Sequence, residues 1–272
     1  MTSRVSPTKI DEPLVREPLI TARGISKEYP GVQALAPISL TVARGERVAL
    51  VGPSGSGKTT LLSVLAGMVR PDYGVLSLDG RDLRRMKPGR DLARLVGLVN
   101  QGYDLVPHLP VIHNVLAGNL GEWSLFRSVW SLLWPRDRQM AAGVLEQLGI
   151  AEKLYQRTSH LSGGELQRLA IARVIVQSPQ LILADEPVSS LDPTRAEDML
   201  EILTGLVGAS GKTLVASIHS PLLIRKYFSR VIGLREGVLQ FDVPTAEVDD
   251  KALDRLYALN GNGGNGAGPA VG

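Results

Sequence analysis

RVALVGPSGSGKTTLLSVLAGM, residues 47–68, decides the fold. A short run of strand length, RVALV, is broken by glycines at 52, 55 and 57, and an apolar segment of helical character follows. The middle fits G-x-x-x-x-G-K-[ST], and a strand before with a helix after is the context that pattern requires. Glycines let the backbone turn where a residue bearing a Cβ could not, so successive N–H groups can face one anion. Gly52, Pro53, Ser54, Gly55, Ser56 and Gly57 are therefore expected to cradle phosphate. Lys58 would reach β- and γ-phosphates as a point charge, Thr59 would offer its hydroxyl to Mg²⁺, and Thr60 would touch an α-phosphate. The competing reading, a glycine-rich turn with a chance lysine, does not account for both flanks. ASGKT (209–213) also contains Gly-Lys-Thr, but Leu206 stands where the first glycine is needed. That stretch reads as a helix C-cap leading into a strand.

The same alternation continues downstream. LILAD (181–185), TLVASI (213–218) and VIGL (231–234) are apolar runs separated by helical patterns, which implies a parallel sheet covered on both faces. Met199, Ile202, Leu203, Leu206 and Val207 form a helical stripe behind an Asp192-Pro193 start signal. LITARGISKEY (19–29), ISLTV (38–42) and GVLSLDG (74–80) alternate and turn at glycines, predicting a separate antiparallel sheet. LILADE delivers Asp185 to the C-terminal edge of its strand, where ligands bind in such sheets. Asp185 suits Mg²⁺ held beside Thr59, and Glu186, one step further out, suits orienting or deprotonating an attacking water.

Composition narrows the function classes. The 272 residues are 44% hydrophobic and 21% charged, ordinary for a globular α/β chain. A net charge of +3 gives no argument for nucleic acid. RDLRRMKPGRDLAR (81–94) holds six basic residues against two acids, and a solvated helix face accounts for it more simply than a binding patch. Without cysteine there is no disulfide, thiolate metal site or cysteine nucleophile. No run approaches the ~18–20 apolar residues of a membrane span, and the N-terminus lacks a signal-type apolar core. The chain is expected to be soluble unless a partner holds it at a membrane.

LSGGELQRLAIAR (161–173) poses a question. A serine and paired glycines open an amphipathic helix, a start that attracts anions, yet no lysine stands beside them and Arg168 comes a turn later. A capping box of Ser162 and Glu165 describes the local geometry but not two consecutive glycines, each costly in unfolded-state entropy.

GPSGSGKT, Gln101, LSGGE, LILADE, SSLD and His219, in this order and spacing, resemble the ATPase subunit of ABC transporters. The resemblance spans residues 18–258, with a helical subdomain at about 102–178; the polar, proline-bearing stretch 1–17 reads as a flexible arm and the glycine-rich 259–272 as a disordered tail. The resemblance implies a P-loop α/β core with a mostly parallel sheet, an antiparallel β subdomain and a helical subdomain. It also answers the question: two such domains face head to tail, and Ser162, Gly163 and Gly164 of one complete the ATP site of the other, whose Lys58 already supplies the charge. It further implies that Tyr29 stacks on adenine, that Gln101 touches Mg²⁺ and water while its loop meets the membrane partner, that Asp192 crosses the dimer interface, and that His219 bonds the γ-phosphate. Asn100 departs from the usual phenylalanine before the glutamine.

The segment NVLAGNLGEWSLFRSVWSLLWPRDRQM (114–140) holds Trp123, Trp130 and Trp134 and resembles the phosphonate or phosphite importer subfamily. Its aromatics fit either a partner surface or a core. The implied setting is the cytoplasmic face of the membrane, with a second ATPase subunit (a homodimer by expectation), two transmembrane permease subunits and, indirectly, an extracytoplasmic substrate-binding protein, and no nucleic acid. The rival readings are a nucleotide switch in a soluble carbon–phosphorus lyase assembly and the ATPase of an exporter.

Overall fold

The computed structural model describes residues 17–86, 89–100, 104–121, 137–189 and 191–258. Gln101, the three tryptophans and nearly all of both tails lie outside the described residues.

Three strands near the N-terminus, β1 (Pro18–Tyr29), β2 (Val32–Ala43) and β4 (Tyr73–Leu78), join the two-residue β5 (Arg81–Asp82) in an antiparallel sheet ordered β2-β1-β4-β5. The second sheet has six strands ordered β10-β9-β3-β8-β7-β6. They are β3 (Arg47–Val51), β6 (Val96–Val99), β7 (Leu181–Ala184), β8 (Thr213–Ser217), β9 (Arg230–Arg235) and β10 (Val238–Pro244). Every pairing in it is parallel except the β9–β10 hairpin. Both sheets follow the sequence expectation.

The apolar runs of the central strands are explained by burial on two sides. Successive side chains point to opposite faces of a strand. Val48 and Leu50 of β3, with Leu181 and Leu183 of β7, join a core shared with the antiparallel sheet and helix α1 (Lys58–Leu65). Ala49, Val51, Ile182 and Ala184 join the opposite core. That second core also takes helices α3 (Val111–Leu116), α4 (Arg138–Gln147), α5 (Gly163–Gln177) and α6 (Pro193–Ser210). Helix α6 starts where predicted: Asp192 accepts the Arg195 N–H at 3.1 Å and Pro193 fills the first turn. Its end is Gly211, at φ 63°, so ASGKT is the C-cap expected.

Between β6 and β7 the described chain is helical, with no strand of its own. Buried Asn114 ties it together, bonding both backbone groups of Val106 and the Thr158 hydroxyl. The basic stretch 81–94 is not one helix face. Asp82 caps a 3₁₀ turn at Leu83–Arg85, and helix α2 (Arg90–Leu95) begins only after Gly89 at φ 93°. A continuous helix is not expected through the sequence Lys-Pro-Gly, because proline removes a donor and disfavours helix in the residue before it.

Candidate nucleotide site

Parallel pairing brings the C-terminal ends of β3, β7 and β8 to one edge of the sheet, and the candidate residues follow those ends. The loop after β3 is held where only glycine fits. A Cβ on Gly52 (φ 149°) would lie 2.1 Å from the Leu234 carbonyl, and one on Gly57 (φ 99°) 2.6 Å from that of Ala34. The turn between β9 and β10 packs against the same loop, the Gly237 N–H donating to the Ser56 carbonyl at 3.0 Å. Lys58 is buried and folds back into the loop, its Nζ donating to the carbonyls of Gly52 (2.7 Å) and Pro53 (3.0 Å). Burial pushes its pKa down, while the charges of Glu186 and Asp185 push it back up. Thr59 is exposed and Thr60 half-buried on the first turn of α1.

Asp185 and Glu186 share an anchor that sequence reasoning missed. Ser217, fully buried at the end of β8, donates to Asp185 Oδ1 at 2.8 Å and accepts the Glu186 N–H at 2.6 Å. The β7–β8 register explains why: Ala184 pairs with Ala216, so the next residues fall opposite one another. Glu186 adopts φ 49°, uncommon for a residue with a side chain. Its carboxylate reaches His219 Nε2 at 3.0 Å. That bond holds the Glu186 carboxyl below the ordinary glutamate range, against the opposing effect of burial. Among the described residues, the strand end offers a metal the carboxylates of Asp185 and Glu186; Asp185 with the Thr59 hydroxyl suits an ion that takes its remaining ligands from phosphate and water.

Ser162 caps α5 with the full capping box: its hydroxyl accepts from the Glu165 N–H and donates to Glu165 Oε2 at 2.8 Å, and its own N–H donates to Glu165 Oε2 at 2.7 Å. Lys153 Nζ pairs with the other carboxylate oxygen at 3.2 Å. Gly163 and Gly164 have no left-handed φ, and a Cβ on either would meet nothing within 4 Å. Among the described residues, nothing in this copy requires them. Arg168 donates to the Leu148 carbonyl at 3.3 Å and so joins α4 to α5. Tyr29, 42% exposed at the end of β1, is not core; Lys27 Nζ lies 5.4 Å from its ring centroid. Asp192 sits at the start of α6 as its cap.

A P-loop with its lysine, a strand-end Asp-Glu pair, a histidine on the glutamate and a second glycine pair facing open space define an ATP-binding-cassette ATPase. The chain belongs to the family described as ABC transporter, whose profile matches residues 35–189, and it is an ATP-binding, ATP-hydrolysing transporter subunit. It is 49% identical over 230 residues to the phosphonates import ATP-binding protein PhnC 2 of Pseudomonas aeruginosa, covering 84% of this chain and 86% of that protein. It is 45% identical over 237 residues to PhnC of Pseudomonas putida, covering 86% and 88%. Among solved structures, a bacterial ABC transporter cassette solved as a dimer matches with a TM-score of 0.74 at 27% identity, covering 83% of this chain and 98% of that one. A dimeric cassette in a post-hydrolysis state bound to ADP and Pi matches with a TM-score of 0.70 at 26% identity, with the same coverage. No helix among the described residues is long and apolar enough to cross a membrane.

Proposed function

We infer that this chain is the energy-coupling ATPase of an importer for phosphonates or related phosphorus oxyanions. The observation that carries the cargo is the 45–49% identity, over most of both chains, to proteins named for phosphonate import. Two copies working as a pair, attached peripherally to permease subunits at the cytoplasmic face of the membrane, is the arrangement the family implies. The open glycine pair of α5 supports it: Gly163 and Gly164 leave room for a phosphate that the same copy does not bring.

In this reading, water attacks the γ-phosphorus in line as the bond to the β,γ-bridging oxygen breaks, giving ADP and phosphate. Lys58 exchanges its carbonyl partners for β- and γ-phosphate oxygens, a strong charge-assisted replacement. Glu186, already ionised, takes the water's proton, and it becomes the stronger base once His219 leaves it for the γ-phosphate. His219 holds that carboxylate by the 3.0 Å bond and turns to the γ-phosphate when it arrives. Bound Mg²⁺, held by Thr59 and Asp185, would neutralise the phosphate charge. Tyr29 offers an open aromatic face for adenine. The opposing Ser162 must release Glu165 to direct its hydroxyl at the γ-phosphate. ATP then bridges two surfaces that ADP cannot, and closure drives the permease.

The test is growth on a phosphonate as sole phosphorus source. A strain lacking the gene should fail, and regain growth with the wild-type gene but not with Lys58→Ala. Normal uptake of radiolabelled phosphonate without the gene would refute the cargo. Uptake retained with loss only of carbon–phosphorus cleavage would move the chain to a soluble lyase assembly.

A further inference from the structure

The loop contact that the nucleotide chemistry leaves unexplained comes from the far end of the chain. The N–H of Gly52, the first residue of the cradle, donates to the hydroxyl of Tyr257 at 3.2 Å. Tyr257 is the last residue of the C-terminal helix, α7 (Asp250–Tyr257). This helix is firmly seated. Asp249 caps its start, accepting the Ala252 N–H at 2.7 Å, and Leu253 and Leu256 are buried in the larger core. At its other end Arg235, the last residue of β9, donates to the Arg255 carbonyl at 3.0 Å.

Gly52 is thereby gripped on three sides. The Leu234 carbonyl stands where a Cβ would have to go, the Lys58 ammonium takes the Gly52 carbonyl, and the Tyr257 hydroxyl takes its N–H. Gly52 is buried, so its N–H needs an acceptor, and this acceptor is a side chain in place of a strand carbonyl. A φ of 149° is open to glycine and closed to other residues, and such a conformation persists only where the surroundings enforce it.

We propose that Tyr257 is a positioning residue for the phosphate cradle: through its hydroxyl, the C-terminal helix sets the conformation of Gly52 and with it the affinity for nucleotide. The proposal rests on the nucleotide-site reading and deepens it. The cradle holds phosphates present alike in ATP, in ADP and in the transition state. Loosening its entry therefore removes uniform binding and appears in affinity, with turnover at saturation nearly kept.

The experiment uses the full chain with a fluorescent ATP analogue and Mg²⁺, titrated to equilibrium. Tyr257→Phe keeps the ring and removes the one acceptor. Its dissociation constant should rise about five- to tenfold, the worth of one ordinary hydrogen bond to a buried donor. The corresponding ADP analogue should weaken by the same factor, and the melting temperature without nucleotide should fall by about 2–6 °C, because the buried Gly52 N–H loses its acceptor in the free protein too. An unchanged dissociation constant would overturn the proposal, as would a loss of stability with affinity intact. Lys58→Ala separates the two ideas: full affinity in that variant would sink the nucleotide-site reading itself.

Discussion

Replacing Ser217 by alanine isolates the least visible part of the sheet edge that carries Asp185 and Glu186. The Ser217 hydroxyl is fully buried and serves two partners, donating to the Asp185 carboxylate at 2.8 Å and accepting the Glu186 N–H at 2.6 Å. A bond to a charged group contributes about 1.5–3 kcal/mol, and an orphaned buried N–H costs about 1–3 kcal/mol. The two share one atom and are not additive, so the combined cost is about 3 kcal/mol. At roughly 2–4 °C per kcal/mol for a domain of this size, the melting temperature should fall by about 6–12 °C. Activity should fall further than stability. Glu186 sits at φ 49°, secured by Ser217 on its N–H and by the Ser189 hydroxyl on its carbonyl at 3.2 Å. Freed at one end, the backbone relaxes and moves the carboxylate by something near an ångström, worth about 10² in turnover. A thermal melt and steady-state ATPase assay on the same preparation read both effects. A variant that melts lower but hydrolyses ATP normally would refute the claim that Ser217 aims Glu186.

Glu186→Gln should lower hydrolysis by about 10²–10⁴ while leaving closure intact, so an ATP-bound pair accumulates and elutes as a dimer in saturating MgATP; a monomer there, with and without the permease, would count against the sandwich. The same residue predicts a pH dependence. The folded pKa of Glu186 lies below its unfolded value, so its contribution to stability is complete above the ordinary glutamate range and fades as pH falls through the depressed folded pKa. The acid limb of the wild-type stability curve should therefore flatten in Glu186→Gln, and superimposable limbs would refute the pairing with His219. Arg230 ties the edge of the sheet, donating to both Asp242 oxygens (2.5 and 2.7 Å), to Glu46 (3.1 Å) and to the Thr41 carbonyl (2.9 Å). Arg230→Met leaves two carboxylates without their cation and should cost about 3 kcal/mol, read by urea denaturation; a cost under about 0.5 kcal/mol would refute it.

What the sequence made legible was contiguous. The P-loop announces itself because the turn, the lysine and the helix start are one covalent stretch, and the glycines that a Cβ would block are the ones the motif names. The strands were legible because burial on both faces writes unbroken apolar runs. Ser217 and Tyr257 were not, because their roles depend on register and packing. A serine closing an apolar strand looks like a strand end until β7 is paired beside it, and Tyr257 lies 205 residues from Gly52. The misread 81–94 stretch failed for a local reason: its charges were weighed as a helix face, while the sequence Lys-Pro-Gly argues against one continuous helix.

The two glycines of α5 allow stability and function to be driven in opposite directions by one methyl group. They occupy the first two positions of the helix without left-handed φ, and a Cβ there meets open space. Were capping their whole purpose, alanine would serve better: exchanging glycine for alanine in a helix gains about 0.5–1 kcal/mol, mostly by restricting the unfolded chain. Gly164→Ala should therefore melt as high as wild type or about 1–3 °C higher. If a partner's γ-phosphate has to approach that backbone, the added methyl stands in its path, and ATP-driven pairing and hydrolysis should fall at least tenfold. The effect of packing on one copy and the effect of a shared site thus carry opposite signs. A Gly164→Ala protein that is more stable and fully active would mean that the second glycine pair faces nothing but water, and that each copy hydrolyses ATP alone.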